Sequence, residues 1–132
     1  MELKLFLVVE DEKALRELTR VLLESFGYHV LEAADTQHAF EVAEAFDGTI
    51  HLLLTDVIMP YASGRLLAER LATLRPEIKV VFMTGYTDDV VIHNKLLENG
   101  VYLLRKPFTR MDLAKIIRTA LDNKEPATIA RI

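Results

Sequence analysis

Four apolar runs in this chain each end in a polar residue of a particular kind. Glu10 and Asp11 follow Phe6-Leu7-Val8-Val9, and Asp56 follows Leu52-Leu53-Leu54-Thr55. Thr84 follows Val80-Val81-Phe82-Met83, and Lys106 follows Tyr102-Leu103-Leu104-Arg105. If the runs are parallel strands, these five residues meet at one edge of one sheet, the edge where open α/β sheets bind ligands. Three carboxylates, a hydroxyl and an ammonium gathered there describe a site for a small divalent cation and a phosphoryl group. Each residue also has a plainer reading. An acid at a strand end commonly caps the next helix, as Asp11 or Glu12 can do here, while a threonine is usually a loop hydroxyl and a lysine a solvated charge. Those readings must all hold by accident at four separate strand ends, and the joint pattern favours the site.

The elements that would position these residues follow from periodicity. Short apolar runs alternate with amphipathic stretches, the pattern of five βα units forming a parallel sheet with helices on both faces. The first strand, about Leu3 to Val9, leads to a helix with a core stripe of Leu15, Leu18, Leu22 and Phe26, closed by Gly27 as a left-handed cap. A weaker run, His29 to Ala33, reads as an edge strand. Asp35 or Thr36 can cap a second helix that turns Ala39, Val42, Ala43 and Phe46 inward, before Asp47-Gly48 leads into the central strand Ile50 to Thr55. Pro60 and Gly64 bracket a loop, Leu67, Leu71 and Leu74 line a third helix, and Pro76 follows it. Ile78 to Met83 is the fourth strand. Thr87 can cap a fourth helix running to about Glu98, with Asn99-Gly100 as its exit and Val101 to Leu104 as the fifth strand. Thr109 to Asp112 has capping-box spacing and opens a last helix with Leu113, Ile116, Ile117, Ala120 and Leu121 inward. Residues 1–122 thus form one domain, and 123–132, containing Pro126, read as a flexible tail or linker stub.

Composition excludes several classes. A chain of 132 residues, 51% hydrophobic, fits a single domain burying roughly two-thirds of its unfolded surface. The net charge of −4 gives no general pull toward nucleic acid or an anionic membrane, so direct binding to either is not expected. The absence of cysteine excludes disulfides and thiol catalysis. Leu5 to Val9 is too short for a signal peptide or membrane span, and a cytoplasmic location is expected. His29, His38, His51 and His93 lack metal-binding spacing and read as surface or packing residues. Met83 and Met111 read as core fillers, and Tyr102 and Arg105 as solvent-side strand residues.

The sequence resembles the receiver domain of two-component response regulators from Leu3 to Leu121. The likeness rests on Glu10-Asp11, on Thr55-Asp56-Val57-Ile58-Met59-Pro60 followed by Gly64, on Met83-Thr84-Gly85, and on Lys106-Pro107-Phe108. The Gly-Arg-Leu-Leu helix start and the Met-Thr-Gly-Tyr run are similar to receivers attached to hybrid sensor histidine kinases. The resemblance implies a flavodoxin-like (βα)5 three-layer sandwich with strand order 2-1-3-4-5. It also implies Asp56 as phosphoacceptor, Mg2+ (Mn2+ as a substitute) on Glu10, Asp11, Asp56 and the backbone carbonyl of Ile58, and a cis bond before Pro107. The implied donor is a histidine kinase or histidine phosphotransfer domain, with a downstream partner protein as the output.

The chemistry agrees. A carboxylate can accept a phosphoryl group if the negative charge around it is offset. Mg2+ supplies that offset through one or two carboxylates, so Asp11 and Asp56 suffice as direct ligands with Glu10 partly through water. Lys106 pairs with phosphoryl oxygens as a point charge, and Thr84 donates to another oxygen. That last contact makes Thr84 a switch, drawing Gly85 to Asp88 toward the site. Receivers usually carry an aromatic partner for this switch three residues before the lysine, where this chain has Leu103, and Tyr102 points to the other side of the strand. Ile58 and Tyr86 flank the path of the hydrolytic water, and their bulk is expected to slow dephosphorylation. Two other readings stand beside this one. A pseudo-receiver would bind partners without phosphorylation. An aspartyl-nucleophile phosphatase would need a second acid two residues after Asp56, where Ile58 stands. The chain is expected to be a signalling phosphoacceptor rather than an enzyme on other substrates. It is read as a stand-alone regulator or a segment of a hybrid kinase, monomeric or dimerising on phosphorylation.

Overall fold

The computed structural model describes residues 3–59, 62–85 and 101–123. Their elements are β1 (Leu5–Val9), α1 (Lys13–Ser25), β2 (His29–Ala33), α2 (Thr36–Ala45), β3 (Leu52–Asp56), β4 (Ile58–Met59) and β5 (Ala62–Ser63). After these come α3 (Gly64–Leu74), β6 (Lys79–Thr84), β7 (Tyr102–Arg105) and α4 (Arg110–Asp122). The main sheet is parallel throughout, in the order β2-β1-β3-β6-β7, which is 2-1-3-4-5 when only its own strands are counted. The helix expected over Thr87 to Glu98 lies outside the described residues, as do His93 and the tail beyond Asn123.

Alternation along the strands divides the core into two layers. Leu7, Val9, Leu53, Val80 and Phe82 face Ala39 and Ala43 of α2 and Leu67, Ala68 and Leu71 of α3. Phe6, Val8, Leu52, Leu54, Val81, Met83 and Leu104 face Leu23 of α1 and Leu113, Ile117 and Ala120 of α4. β3 is buried at all five positions, which is why it reads as an unbroken apolar run instead of an alternating one.

The helix ends follow local chemistry. Asp35 accepts from the His38 amide at 2.7 Å, and Ser63 from the Leu66 amide at 3.3 Å. Thr109 and Asp112 form the expected capping box, at 3.0 Å and 2.9 Å. Gly27 has φ of 95°, and the Gly27 and Tyr28 amides donate to the carbonyls of Glu24 and Leu23, so α1 ends in a Schellman motif. Tyr28 then stacks on Phe6, with 4.4 Å between ring centroids. His51 takes a packing role: its Nδ1 accepts from the Leu5 amide at 2.9 Å.

Several expectations are corrected. The core side of α1 carries Thr19 and Leu23, with Leu22 and Phe26 partly buried, whereas Leu18 is 52% exposed. Thr19 tolerates burial because its hydroxyl donates to the Leu15 carbonyl at 2.7 Å. Leu74 and Met111 are exposed, one at the end of α3 and the other in the first turn of α4. Tyr102 packs partly against the α1 and α4 layer and its hydroxyl meets the Asn123 side-chain amide, while Arg105 is solvent-facing as expected. The loop after Asp56 contains a small antiparallel ladder, Ile58 opposite Ser63 and Met59 opposite Ala62. Strands β1, β3, β6 and β7 begin one or two residues later than hydrophobicity indicates, and the last three run one residue further at their ends. Their ladders take in Asp56 and Thr84, because neighbouring strands still offer backbone partners there.

Leu23→Ala is expected to lower unfolding free energy by about 3 kcal/mol, and Leu18→Ala to stay within about 0.5 kcal/mol, by urea denaturation. The backbone and side-chain bonds from Thr109 hold the Asp112 carboxyl below its usual range. A depressed carboxylate stabilises the fold above its unfolded pKa and loses that contribution as pH falls through its folded value. Asp112→Asn is therefore expected to destabilise at pH 7 and to match the native chain at strongly acidic pH.

Candidate functional site

The carboxyl ends of β1, β3, β6 and β7 bring the sequence-selected residues together. One carboxylate oxygen from each of Glu10, Asp11 and Asp56 lies within 4.8 Å of the others. Lys106 Nζ is 2.8 Å from Glu10 Oε1 and 2.6 Å from Asp56 Oδ1. Thr84 closes the same edge as the last residue of β6, one position beyond Met83, which is in register with Asp56. Its carbonyl accepts from the Lys106 amide at 2.8 Å, so hydroxyl and ammonium are carried by directly bonded backbone. The peptide between Lys106 and Pro107 is cis, as expected. Ile58 begins the small ladder and is half exposed at the rim. Leu103 packs into the α2 and α3 layer, and Tyr102 lies on the opposite face. Tyr86 lies outside the described residues.

The two buried carboxylates differ sharply in what holds them. Glu10, 1% exposed, receives the Lys106 ammonium on one oxygen and the Glu12 amide on the other at 3.3 Å. Its own amide donates to the Ala33 carbonyl at 3.2 Å, and its carbonyl accepts from Arg16 at 2.9 Å. Glu12, not Asp11, occupies the N-cap of α1 and makes no side-chain cap bond; its own amide donates to the Glu10 carboxylate. Among the described residues Asp56, 2% exposed, has the ion pair with Lys106, and beyond it neither Asp56 oxygen has a hydrogen-bond partner. The Thr84 hydroxyl, also 2% exposed, is likewise without one.

Burial pushes the Asp56 carboxyl up to about 8, with the Glu10 charge adding to the rise and Lys106 opposing it. Burial also works to raise Glu10, but the neighbouring Asp56 carboxyl and the Lys106 ammonium outweigh it and hold it at about 2. The pair therefore shares one proton, placed on Asp56 because Glu10 has the donors that stabilise an anion. Asp11, exposed at the mouth, is raised by burial of its neighbourhood and by Glu10. Burial tends to lower Lys106, but Asp56 and Glu10 keep it raised and charged.

Backbone packing fixes Asp56 from behind. A Cβ on Gly64 would stand 1.6 Å from the Asp56 carbonyl oxygen, so α3 can approach β3 this closely only with glycine at its first position. The Gly64 amide donates to Val57 O at 3.0 Å, the Val57 amide to Met83 O at 3.0 Å, and buried Thr55 Oγ1 to Asp56 O at 3.1 Å. Thr55 and Arg16 were not singled out in the sequence. Thr55 stands within an apolar run, which is a usable signal; Arg16 gives none, since its contact is to a main-chain carbonyl.

An all-oxygen set with unsatisfied buried carboxylate oxygens suits a hard, small divalent cation, and Asp11 leaves an open side for solvent or a ligand. The comparisons agree with this edge. The family model for the response regulator receiver domain matches residues 6–118, and the chain belongs to that family. It is 31% identical over 119 residues to the response regulator receiver protein CpdR of Brucella abortus, covering 90% of this chain and 98% of that one. It is 34% identical over 119 residues to the sensor kinase CckA of the same organism, covering 90% of this chain but 13% of the kinase. Among solved structures, the receiver domain of the hybrid histidine kinase CckA superposes with a TM-score of 0.73 at 36% identity, covering 89% of this chain and 99% of that one. A CheY-like receiver from Methanospirillum hungatei gives 0.77 at 31%, covering 92% and 95%. The protein is thus a phosphoacceptor receiver domain of two-component signalling, a family that is not itself a class of enzymes, with the flavodoxin-like fold. Among the described residues no helix is long and apolar enough to cross a membrane.

A carboxyl whose pKa rises on folding weakens the fold as pH climbs from its unfolded toward its folded value. In EDTA, Asp56→Asn is expected to be more stable than the native chain at pH 8, with the gap closing toward pH 4, by thermal unfolding. Gly64→Ala is expected to cost about 1–3 kcal/mol by the same measurement, because the new methyl must displace the Asp56 backbone.

Proposed function

We propose that Asp56 accepts the phosphoryl group, and that Glu10, Asp11, Lys106 and Thr84 make this possible. The observation that carries the reading is the contrast between the two buried carboxylates. Glu10 is bonded on both oxygens, whereas among the described residues Asp56 has two buried oxygens whose one polar contact is the Lys106 ammonium 2.6 Å away. With its proton lost to solvent on cation binding, an Asp56 carboxylate oxygen attacks phosphorus, a P–O bond forms, and the P–N bond to a donor imidazole breaks with its electron pair leaving on the imidazole. Mg2+, or Mn2+ in its place, supplies charge neutralisation at Asp11, Asp56 and the Ile58 carbonyl, with Glu10 partly through water. Lys106 moves from pairing with the carboxylates to pairing with the phosphoryl oxygens, and the Thr84 hydroxyl gains the acceptor it lacks.

That new bond is the switch, since Thr84 ends β6 directly before Gly85. The aliphatic Leu103 takes the place of an inward-turning aromatic, so the signal passes through the loop and Thr84. Ile58, half exposed beside Asp56, together with Tyr86 slows hydrolysis of the aspartyl phosphate. The donor is a histidine kinase or histidine phosphotransfer domain in the cytoplasm, and the output is a partner protein rather than nucleic acid or membrane. The likeness to CckA and CpdR supports both a hybrid-kinase segment and a free receiver. The working unit is 1–122, supported by α4 ending at Asp122 and the family match ending at residue 118, with 123–132 as linker or tail.

Intact-protein mass after incubation with acetyl phosphate and Mg2+ tests this. One phosphoryl adduct is expected on the native chain, absent with EDTA and absent in Asp56→Asn. An adduct that persists in Asp56→Asn would move the acceptor elsewhere. No adduct on a native chain that binds Mg2+ but not beryllofluoride would make the domain a binding module.

A further inference from the structure

Arg16 makes a contact that neither ion pairing nor helix formation requires. It lies on the second turn of α1, 16% exposed, and its Nη1 donates to the Glu10 main-chain carbonyl at 2.9 Å. β1 ends at Val9, so this carbonyl lies just past the ladder and would otherwise face a poorly solvated sheet edge. On the other side Arg16 Nε is 3.8 Å from Glu32 Oε1 on β2, and Arg20 Nε holds the other Glu32 oxygen at 3.2 Å. The guanidinium therefore ties the Glu10 peptide to α1 and to the edge strand together. The carbonyl it grips belongs to the peptide plane joining Glu10 to Asp11. Because that plane is rigid, fixing its oxygen fixes the direction in which the chain leaves toward the Asp11 carboxylate.

We propose that Arg16 is a positioning residue for the divalent cation, acting through the Glu10 carbonyl to hold Asp11 in ligating orientation. This rests on the reading of Glu10, Asp11 and Asp56 as a cation site. The sign of the effect separates positioning from charge. A guanidinium near three carboxylates opposes a second cation, so by charge alone removing it would tighten Mg2+ binding. Loss of an outer partner that orients a ligand weakens it, typically by 10-fold or more.

Calorimetric titration of Mg2+ into the native chain, Arg16→Met and Arg16→Lys, with melting temperatures of each without metal, tests this. Arg16→Met keeps the apolar stem and removes every donor, and about 10-fold weaker Mg2+ binding is expected. Arg16→Lys retains the charge but replaces the planar fork with one point donor, so binding between the native chain and Arg16→Met is expected. With acetyl phosphate, the Mg2+ concentration for half-maximal phosphorylation should rise for Arg16→Met while the rate at saturating Mg2+ returns to native. A lowered melting temperature with unchanged Mg2+ affinity would reduce Arg16 to a structural role, and tighter binding would leave only its charge; either overturns the proposal. If Arg16→Met does not fold, unchanged binding in Arg16→Lys overturns it alone. A native chain that binds no Mg2+ would instead overturn the cation site itself.

Discussion

The Lys106 ammonium stands between Glu10 and Asp56, 2.8 Å from one carboxylate and 2.6 Å from the other, where two acids are buried within reach of a third. Such crowding is unfavourable in a weakly solvated edge, and one cation does not neutralise three carboxylates. Much of the surrounding structure makes this arrangement tolerable. The ladder between β3 and β6 extends to Asp56, the Thr84 carbonyl accepts from the Lys106 amide, and α3 packs onto the Asp56 carbonyl through a position with room only for glycine. Stability comes from the two apolar layers, and the edge draws on it.

Within that edge charge is divided unequally. Glu10 receives hydrogen bonds from the Glu12 amide before α1 and from Lys106, and its backbone is gripped by β2 and Arg16. It is an anion that balances Lys106, and turning its side chain away would cost the Glu12 amide and Lys106 contacts. Asp56 has a backbone held by Thr55 and, among the described residues, a carboxylate with no hydrogen-bond partner beyond the Lys106 ion pair. Rigidity behind and unmet bonding capacity in front are what a nucleophile in a preorganised site requires, since little reorganisation is needed at the moment of reaction.

The parts of this design visible in the sequence are those set by periodicity and by residue type at strand ends. Glu10, Asp11, Asp56, Thr84 and Lys106 could be placed together because apolar runs define strands and a parallel sheet puts all their ends on one side. Gly27, Asp35 and the Thr109–Asp112 box were legible because cap chemistry is local. The face of α1 was misread because helical spacing admits two neighbouring stripes, and Leu18 looks more buried than Thr19 until the bond to the Leu15 carbonyl removes the polar penalty. The exact strand ends were not legible either. Hydrophobicity stops at Thr55 and Met83, but pairing continues for as long as a neighbour offers backbone groups. Contacts to main-chain carbonyls leave no mark on composition. Arg16 to Glu10 is one case, and Arg75 is another, donating to the carbonyls of Ala43, Phe46 and Gly48 where α2 ends.

Thr84 completes the logic of the edge. Its hydroxyl is buried and, among the described residues, without a partner, which costs roughly 1–3 kcal/mol in a protein interior. A valine would fill the same space without that cost, so the hydroxyl is suited to an acceptor that arrives later. On the proposed function, a phosphoryl oxygen on Asp56 would be such an acceptor and would also draw Lys106 from Glu10 and Asp56. One chemical event would then satisfy the hydroxyl, redistribute the ammonium and draw on the end of β6. The groups left without partners at this edge would thereby contribute free energy to the change of shape.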